Sequence, residues 1–123
     1  MLIAALALLT ALHTAPATDS IPGTWQINGD VVGNPVKVTC VISQSGTTLT
    51  GNCANPTGAP FPLTGEAKDG KYMFQYDVDY QGQTLQIVYS ATFVSPKDLK
   101  GTIEVKPMGA SGTFTATRAP AKP

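Results

Sequence analysis

Residues 61–93 read FPLTGEAKDG KYMFQYDVDY QGQTLQIVYS ATF, and this stretch decides the fold. Two short turns, Asp69-Gly70 and Gln81-Gly82, divide it into three segments of alternating residues. Asp-Gly between such segments is a strong hairpin signal, because a two-residue hairpin turn needs residues that accept positive φ. Folding about the first turn sets Ala67 against Tyr72, Gly65 against Phe74 and Leu63 against Tyr76. Folding about the second sets Val78 against Leu85, Tyr76 against Ile87 and Phe74 against Tyr89. Both hairpins turn the same residues inward, whereas a slip of one residue in either would turn that set outward. The agreement predicts a continuous antiparallel meander with strands over 61–68, 71–80 and 83–93.

The pattern extends in both directions. Upstream, Val36, Val38, Cys40 and Ile42 share one face of a strand over 36–44. A turn at Ser45 to Thr48 leads into a strand with Leu49, Gly51 and Cys53 inward. With Gln44 opposite Leu49, Cys40 falls opposite Cys53, a placement that suits a disulfide across an antiparallel pair. The closed loop would contribute on the order of 3 kcal/mol by restricting the unfolded chain. A first strand is expected at Gly23 to Ile27. Downstream, strands are expected over Leu99 to Val105 and Ser111 to Arg118, after turns at Ser95 to Asp98 and Pro107 to Gly109. Eight strands joined in order by short loops predict an all-β, eight-stranded antiparallel up-and-down β-barrel, since closure removes exposed edges. A two-sheet β-sandwich is the alternative. Leu49-Thr50-Gly51, Leu63-Thr64-Gly65 and Leu99-Lys100-Gly101 form a short repeat, with Gly112 a fourth inward glycine. Inward glycines either permit sharp strand bends or floor a ligand pocket.

The rest of the chain sets the domain organisation. Leu2 to Leu12 is an apolar run followed by Ala15-Pro16-Ala17, the pattern of an export signal. The run is too short to span a bilayer, which needs about 20 residues. The expected organisation is a signal peptide at 1–17, one barrel domain at 18–118 and a disordered tail at 119–123. A secreted or periplasmic location follows, and two cysteines suit that oxidising setting.

Eight basic and eight acidic residues balance with no basic cluster, so neither nucleic acid nor an anionic membrane is an expected partner. The single histidine, His13, falls in the signal. The mature chain thus lacks an imidazole, and pairing of its two cysteines leaves no free thiol. Ser–His–Asp and Cys–His catalysis and histidine-based zinc sites are excluded. No enzyme activity, cofactor or metal is expected. Asp77 and Asp79 lie about 7 Å apart, but on the outward, solvated face, where neither carboxyl is tuned for acid–base work. The segment starting at Asp77 has the opening of a calcium loop, yet Val88 stands where the bidentate glutamate belongs. Thr113, Thr115 and Thr117 read as ordinary strand surface.

The inward aromatic residues are the candidate site. Tyr72, Phe74, Tyr76 and Tyr80 share a face of one strand, Tyr89 and Phe93 one of the next, and Trp25, Phe61 and Phe114 also fall inward. Such rings either fill the core or line a pocket for a small apolar or aromatic ligand oriented by tyrosine hydroxyls. The predicted ligand-binding residues are Trp25, Tyr72, Phe74, Tyr76 and Tyr89. A protein partner is the alternative, with the chain acting as a protease inhibitor or envelope interaction protein.

Gly23-Thr24-Trp25 resembles the Gly-x-Trp signature on the first strand of lipocalins and their relatives. In those barrels the tryptophan packs under an arginine from the closing end, which implies a structural pairing of Trp25 with Arg118, the single arginine here. Together with Leu49-Thr50-Gly51, the motif also looks like the start of avidin-type barrels. Their biotin sites draw on several tryptophans, whereas this chain has one. Periplasmic metalloprotease inhibitors resemble it in architecture, with Thr18 to Pro22 in the place of their N-terminal arm.

Overall fold

The computed structural model describes residues 20–56 and 58–119. The expected signal, the start of the arm at Thr18 and tail residues 120–123 lie outside them. The elements are β1 (Gly23–Val31), β2 (Asn34–Ser45), β3 (Thr48–Ala54), β4 (Phe61–Lys68), β5 (Lys71–Tyr80), β6 (Gln83–Ser95), β7 (Asp98–Lys106) and β8 (Ala110–Arg118). They form one closed barrel in sequence order, with β8 pairing back onto β1 from Trp25–Arg118 to Val31–Gly112. The barrel, not the sandwich, is the architecture.

The register follows the alternation that predicted it. Cys40 pairs with Cys53 and Ile42 with Gly51, and the disulfide is formed and buried. Across the two hairpins of the meander, Gly65 meets Phe74, Phe74 meets Tyr89, and Tyr76 meets Ile87. One predicted pairing fails: the β4–β5 ladder ends at Thr64–Gln75, so Leu63 and Tyr76 do not pair. Beyond that point β4 stays with β3 as far as Cys53–Phe61, while β5 stays with β6 as far as Tyr80–Gln83. Pro62 has no N–H to donate to either neighbour. The two strands therefore separate towards one end of the barrel.

Several boundaries also differ from expectation. β1 continues through Val31 to a turn at Val32-Gly33 that lacks an Asn or Asp signal. At the other terminus, Ala119, expected in the tail, donates its amide to the Thr24 carbonyl.

The inward glycines serve strand bending. A Cβ at Gly51, Gly65, Gly101 or Gly112 would overlap a carbonyl oxygen of the adjoining strand. Only a bare backbone lets neighbouring strands approach this closely where they coil, as small barrels require. The leucines of the repeat, Leu49, Leu63 and Leu99, are buried two residues earlier, facing the same interior.

Candidate functional site

Antiparallel order puts three connections and both ends of the described chain at one end of the barrel and four connections at the other, and the two ends differ. One end holds the turns after β2, β4 and β6, together with both termini of the described chain. Here Ile21 is fully buried, and its carbonyl accepts the indole N–H of Trp25 at 2.8 Å. The Arg118 guanidinium lies over the Trp25 ring at 4.4 Å and donates to the carbonyls of Pro22, Ser20 and Pro96. Gly23 makes this possible. Its φ of 140° disfavours any side chain, and a Cβ would stand 2.7 Å from the guanidinium. The pairing implied by Gly23-Thr24-Trp25 and Arg118 is therefore present, as a plug. The segment Ser20–Pro22 is folded into the plug rather than projecting as an arm.

Above the plug, aromatic rings fill the interior. Trp25 meets Phe93 edge-on at 5.9 Å, and Tyr72 meets Phe93 at 5.4 Å and 90°. Phe74 stacks on Tyr89 at 5.0 Å, and Phe114 closes on Tyr89 edge-on at 5.1 Å. Trp25, Phe74 and Tyr89 are buried, with no more than 1% exposed.

The opposite end holds the turns after β1, β5 and β7 and the longer β3–β4 connection. It contains a cavity of about 700 Å³ that opens at the mouth. Its walls are Val31, Val36 and Val38 from β1 and β2, Val78, Leu85 and Ile87 from β5 and β6, and Val105 and Ala110 from β7 and β8. Phe61 and Tyr76 stand at the separated β4–β5 seam, their rings in edge contact at 4.7 Å. Val32, Tyr80 and Met108 form an exposed apolar rim, and Asn34, Lys37 and Asn55 add the polar groups of the mouth. A second depression, of about 620 Å³, lies on the outer surface over Gly29 and Gly101, among Thr92, Thr102, Thr113, Thr115, Asn28, Asp30 and Lys100.

The predicted binding residues divide between these regions. Tyr76 lies on the cavity wall. Trp25, Phe74 and Tyr89 belong to the filled interior, and Tyr72 packs beside Phe93 near the plug. Sequence reasoning followed the rings and passed over the aliphatic wall. The signal was present in Val31, Val36, Val38, Val78 and Val105: small branched side chains gather where the rings run out.

Tyr76 and Tyr89 join the two regions. Their hydroxyls hydrogen-bond to each other at 2.5 Å. Burial pushes both pKa values above the ordinary tyrosine value, Tyr89 further because the neighbouring Tyr76 also disfavours its charge. Both side chains are therefore neutral hydrogen-bonding groups set in an apolar interior.

No family model and no curated protein matches the chain. Solved structures do. A redesigned β-barrel superposes with a TM-score of 0.59 at 19% identity, covering 81% of this chain and 92% of that one. Another redesigned barrel, mFAP1 bound to DFHBI, gives 0.57 at 19% identity, covering 80% and 94%. A de novo designed fluorescence-activating barrel gives 0.58 at 16% identity, covering 80% and 94%. At these identities the likeness is one of fold: a small eight-stranded β-barrel.

Proposed function

We propose that this protein is an exported binding protein of lipocalin- or avidin-like shape that takes a small apolar or aromatic molecule into the open end of its barrel. The observation that carries this reading is the asymmetry of the interior: one end is plugged and filled, while the other keeps an apolar-walled space. Such a space with a few polar groups at its mouth is the usual form of a small-molecule site. Barrels of similar shape hold DFHBI, which supports an aromatic ligand. Calycin-type kinship is supported by Gly23-Thr24-Trp25 and Arg118. Export to a secreted or periplasmic location is supported by the apolar run at Leu2 to Leu12 and by the disulfide. In this reading the chain binds its ligand and does not transform it.

The test is titration with N-phenyl-1-naphthylamine, a neutral dye that brightens in apolar surroundings. One saturable site is expected, lost in a folded Val78→Trp variant whose indole fills the cavity. A non-saturating signal, or one indifferent to Val78→Trp, would overturn the reading. A protein-binding role is the second reading, supported by the exposed Val32, Tyr80 and Met108 around the mouth. It predicts that substitutions on this rim abolish partner capture while Val78→Trp does not.

A further inference from the structure

The Tyr76–Tyr89 pair contains two hydroxyl protons, and one bond between the hydroxyls uses only one of them. Among the described residues neither hydroxyl has another hydrogen-bond partner. One donor is thus left over in an apolar interior, where an unmet donor is unfavourable.

Packing decides which residue offers it. Tyr89 is fully buried, stacked on Phe74 and closed over by Phe114. Tyr76 pairs with Ile87 on the adjoining strand and lines the cavity. When Tyr89 donates to Tyr76, the Tyr76 proton is free at the inner end of the space. The reverse arrangement would leave the spare proton on the sealed ring, with no acceptor to meet it.

We infer that the ligand carries a hydrogen-bond acceptor at its buried end, a carbonyl or comparable neutral oxygen or nitrogen, and that the Tyr76 hydroxyl donates to it. This rests on the cavity being the binding site. The acceptor is neutral because the surrounding wall of valine, leucine and isoleucine supplies no cation; Lys37 stands at the mouth. The raised pKa of Tyr76 keeps its proton in place across the physiological range. Tyr89 does not reach the ligand: it is packed between Phe74 and Phe114 and, among the described residues, hydrogen-bonds only to Tyr76.

Fluorene and 9-fluorenone test this. They share a three-ring skeleton, and one carbonyl replaces one methylene. Burial alone favours fluorene, the less polar of the two. Competition against N-phenyl-1-naphthylamine on the intact, disulfide-bonded protein should instead show fluorenone about tenfold tighter. Tyr76→Phe should erase that preference. Tyr89→Phe should keep it, since Tyr76 retains its own proton. The carbonyl stretch of bound fluorenone should lie lower in the wild-type protein than in an apolar solvent, a readout that needs no variant to fold. Equal or weaker fluorenone binding with an unshifted stretch would overturn the acceptor inference and leave the cavity reading standing. A preference lost in Tyr89→Phe but kept in Tyr76→Phe would overturn the assignment of the donor. If the dye and both probes fail to bind, the cavity reading itself falls.

Discussion

At the plugged end, Trp25, Phe93 and Tyr72 meet edge to face, Arg118 covers the tryptophan, and Ile21 seals what remains. At the open end, valines and a few larger aliphatic side chains surround a space, and two strands part rather than pair. The same eight strands run through both ends, so strand number does not cause the difference. Side-chain volume and the parting of β4 from β5 do. Large rings that interlock leave no room and stabilise the fold, while small branched side chains on a curved wall cannot meet across the axis. The comparison separates the residues that hold the barrel together from those that give it something to hold.

Trp25→Ala is the strongest way to break this contrast. Removing a fully buried indole, its hydrogen bond to Ile21 and its cover by Arg118 should cost about 3–5 kcal/mol. Denaturant unfolding would measure it. A loss comparable to that of an exposed residue would mean that the plug is not where stability resides.

Alkaline unfolding probes the junction between the two regions. Tyr76 and Tyr89 have folded pKa values raised chiefly by burial, so the folded state holds protons that the unfolded state gives up above its ordinary value near 10. Their contribution is complete below that pH and is lost as pH rises beyond it. Stability should decline above about pH 10, with tyrosinate absorbance from these two residues appearing together with unfolding. The double variant Tyr76→Phe and Tyr89→Phe should flatten the decline. Ionisation of Tyr89 in a still-folded barrel would contradict the sealed packing assigned to it.

Much of this was legible in the sequence, for identifiable reasons. The period-two alternation around Asp69-Gly70 and Gln81-Gly82 fixed which residues face inward, and a buried face tolerates no slip. The same logic placed Cys40 against Cys53. The resemblance carried by Gly23-Thr24-Trp25 paired Arg118 with Trp25, although its inward position made Trp25 an expected ligand contact rather than part of a plug. The cavity was less legible. Inward direction is a property of one strand, whereas empty volume depends on how eight strands stagger and where two of them diverge. Pro62 is the one local hint that the ladder of Leu63 and Tyr76 stops at Thr64–Gln75, and it does not say how far the strands part. The Val32-Gly33 turn was missed because valine is a poor residue for it.

Arg118→Leu should destabilise by about 1–2 kcal/mol, through loss of the cation–π contact and of the hydrogen bonds to Pro22, Ser20 and Pro96. Thermal melting would show it. Arg118→Lys should recover little, because an ammonium cannot reach several carbonyls from above the ring as a guanidinium does. Dye affinity at the far end should be unchanged in both. A coupled loss of binding would show that plug and mouth are not independent.

Val32→Asn should have the smallest effect and act with opposite sign on the two properties. Val32 is 74% exposed at the rim and holds φ at 51°, a left-handed backbone that a β-branched residue adopts at a penalty of roughly 1–2 kcal/mol. Asparagine before glycine suits this turn far better. The substitution should therefore raise stability by about 1 kcal/mol, or roughly 4–8 °C in Tm for a domain of this size. Val32 also belongs to the cavity wall, so its loss should weaken apolar dye binding roughly two- to fivefold. Gain of stability with loss of affinity would explain why a strained, exposed valine stands at the mouth: its side chain serves the ligand at the expense of the turn. Gain of stability with unchanged affinity would remove the rim from the site and confine binding to the inner wall around Tyr76.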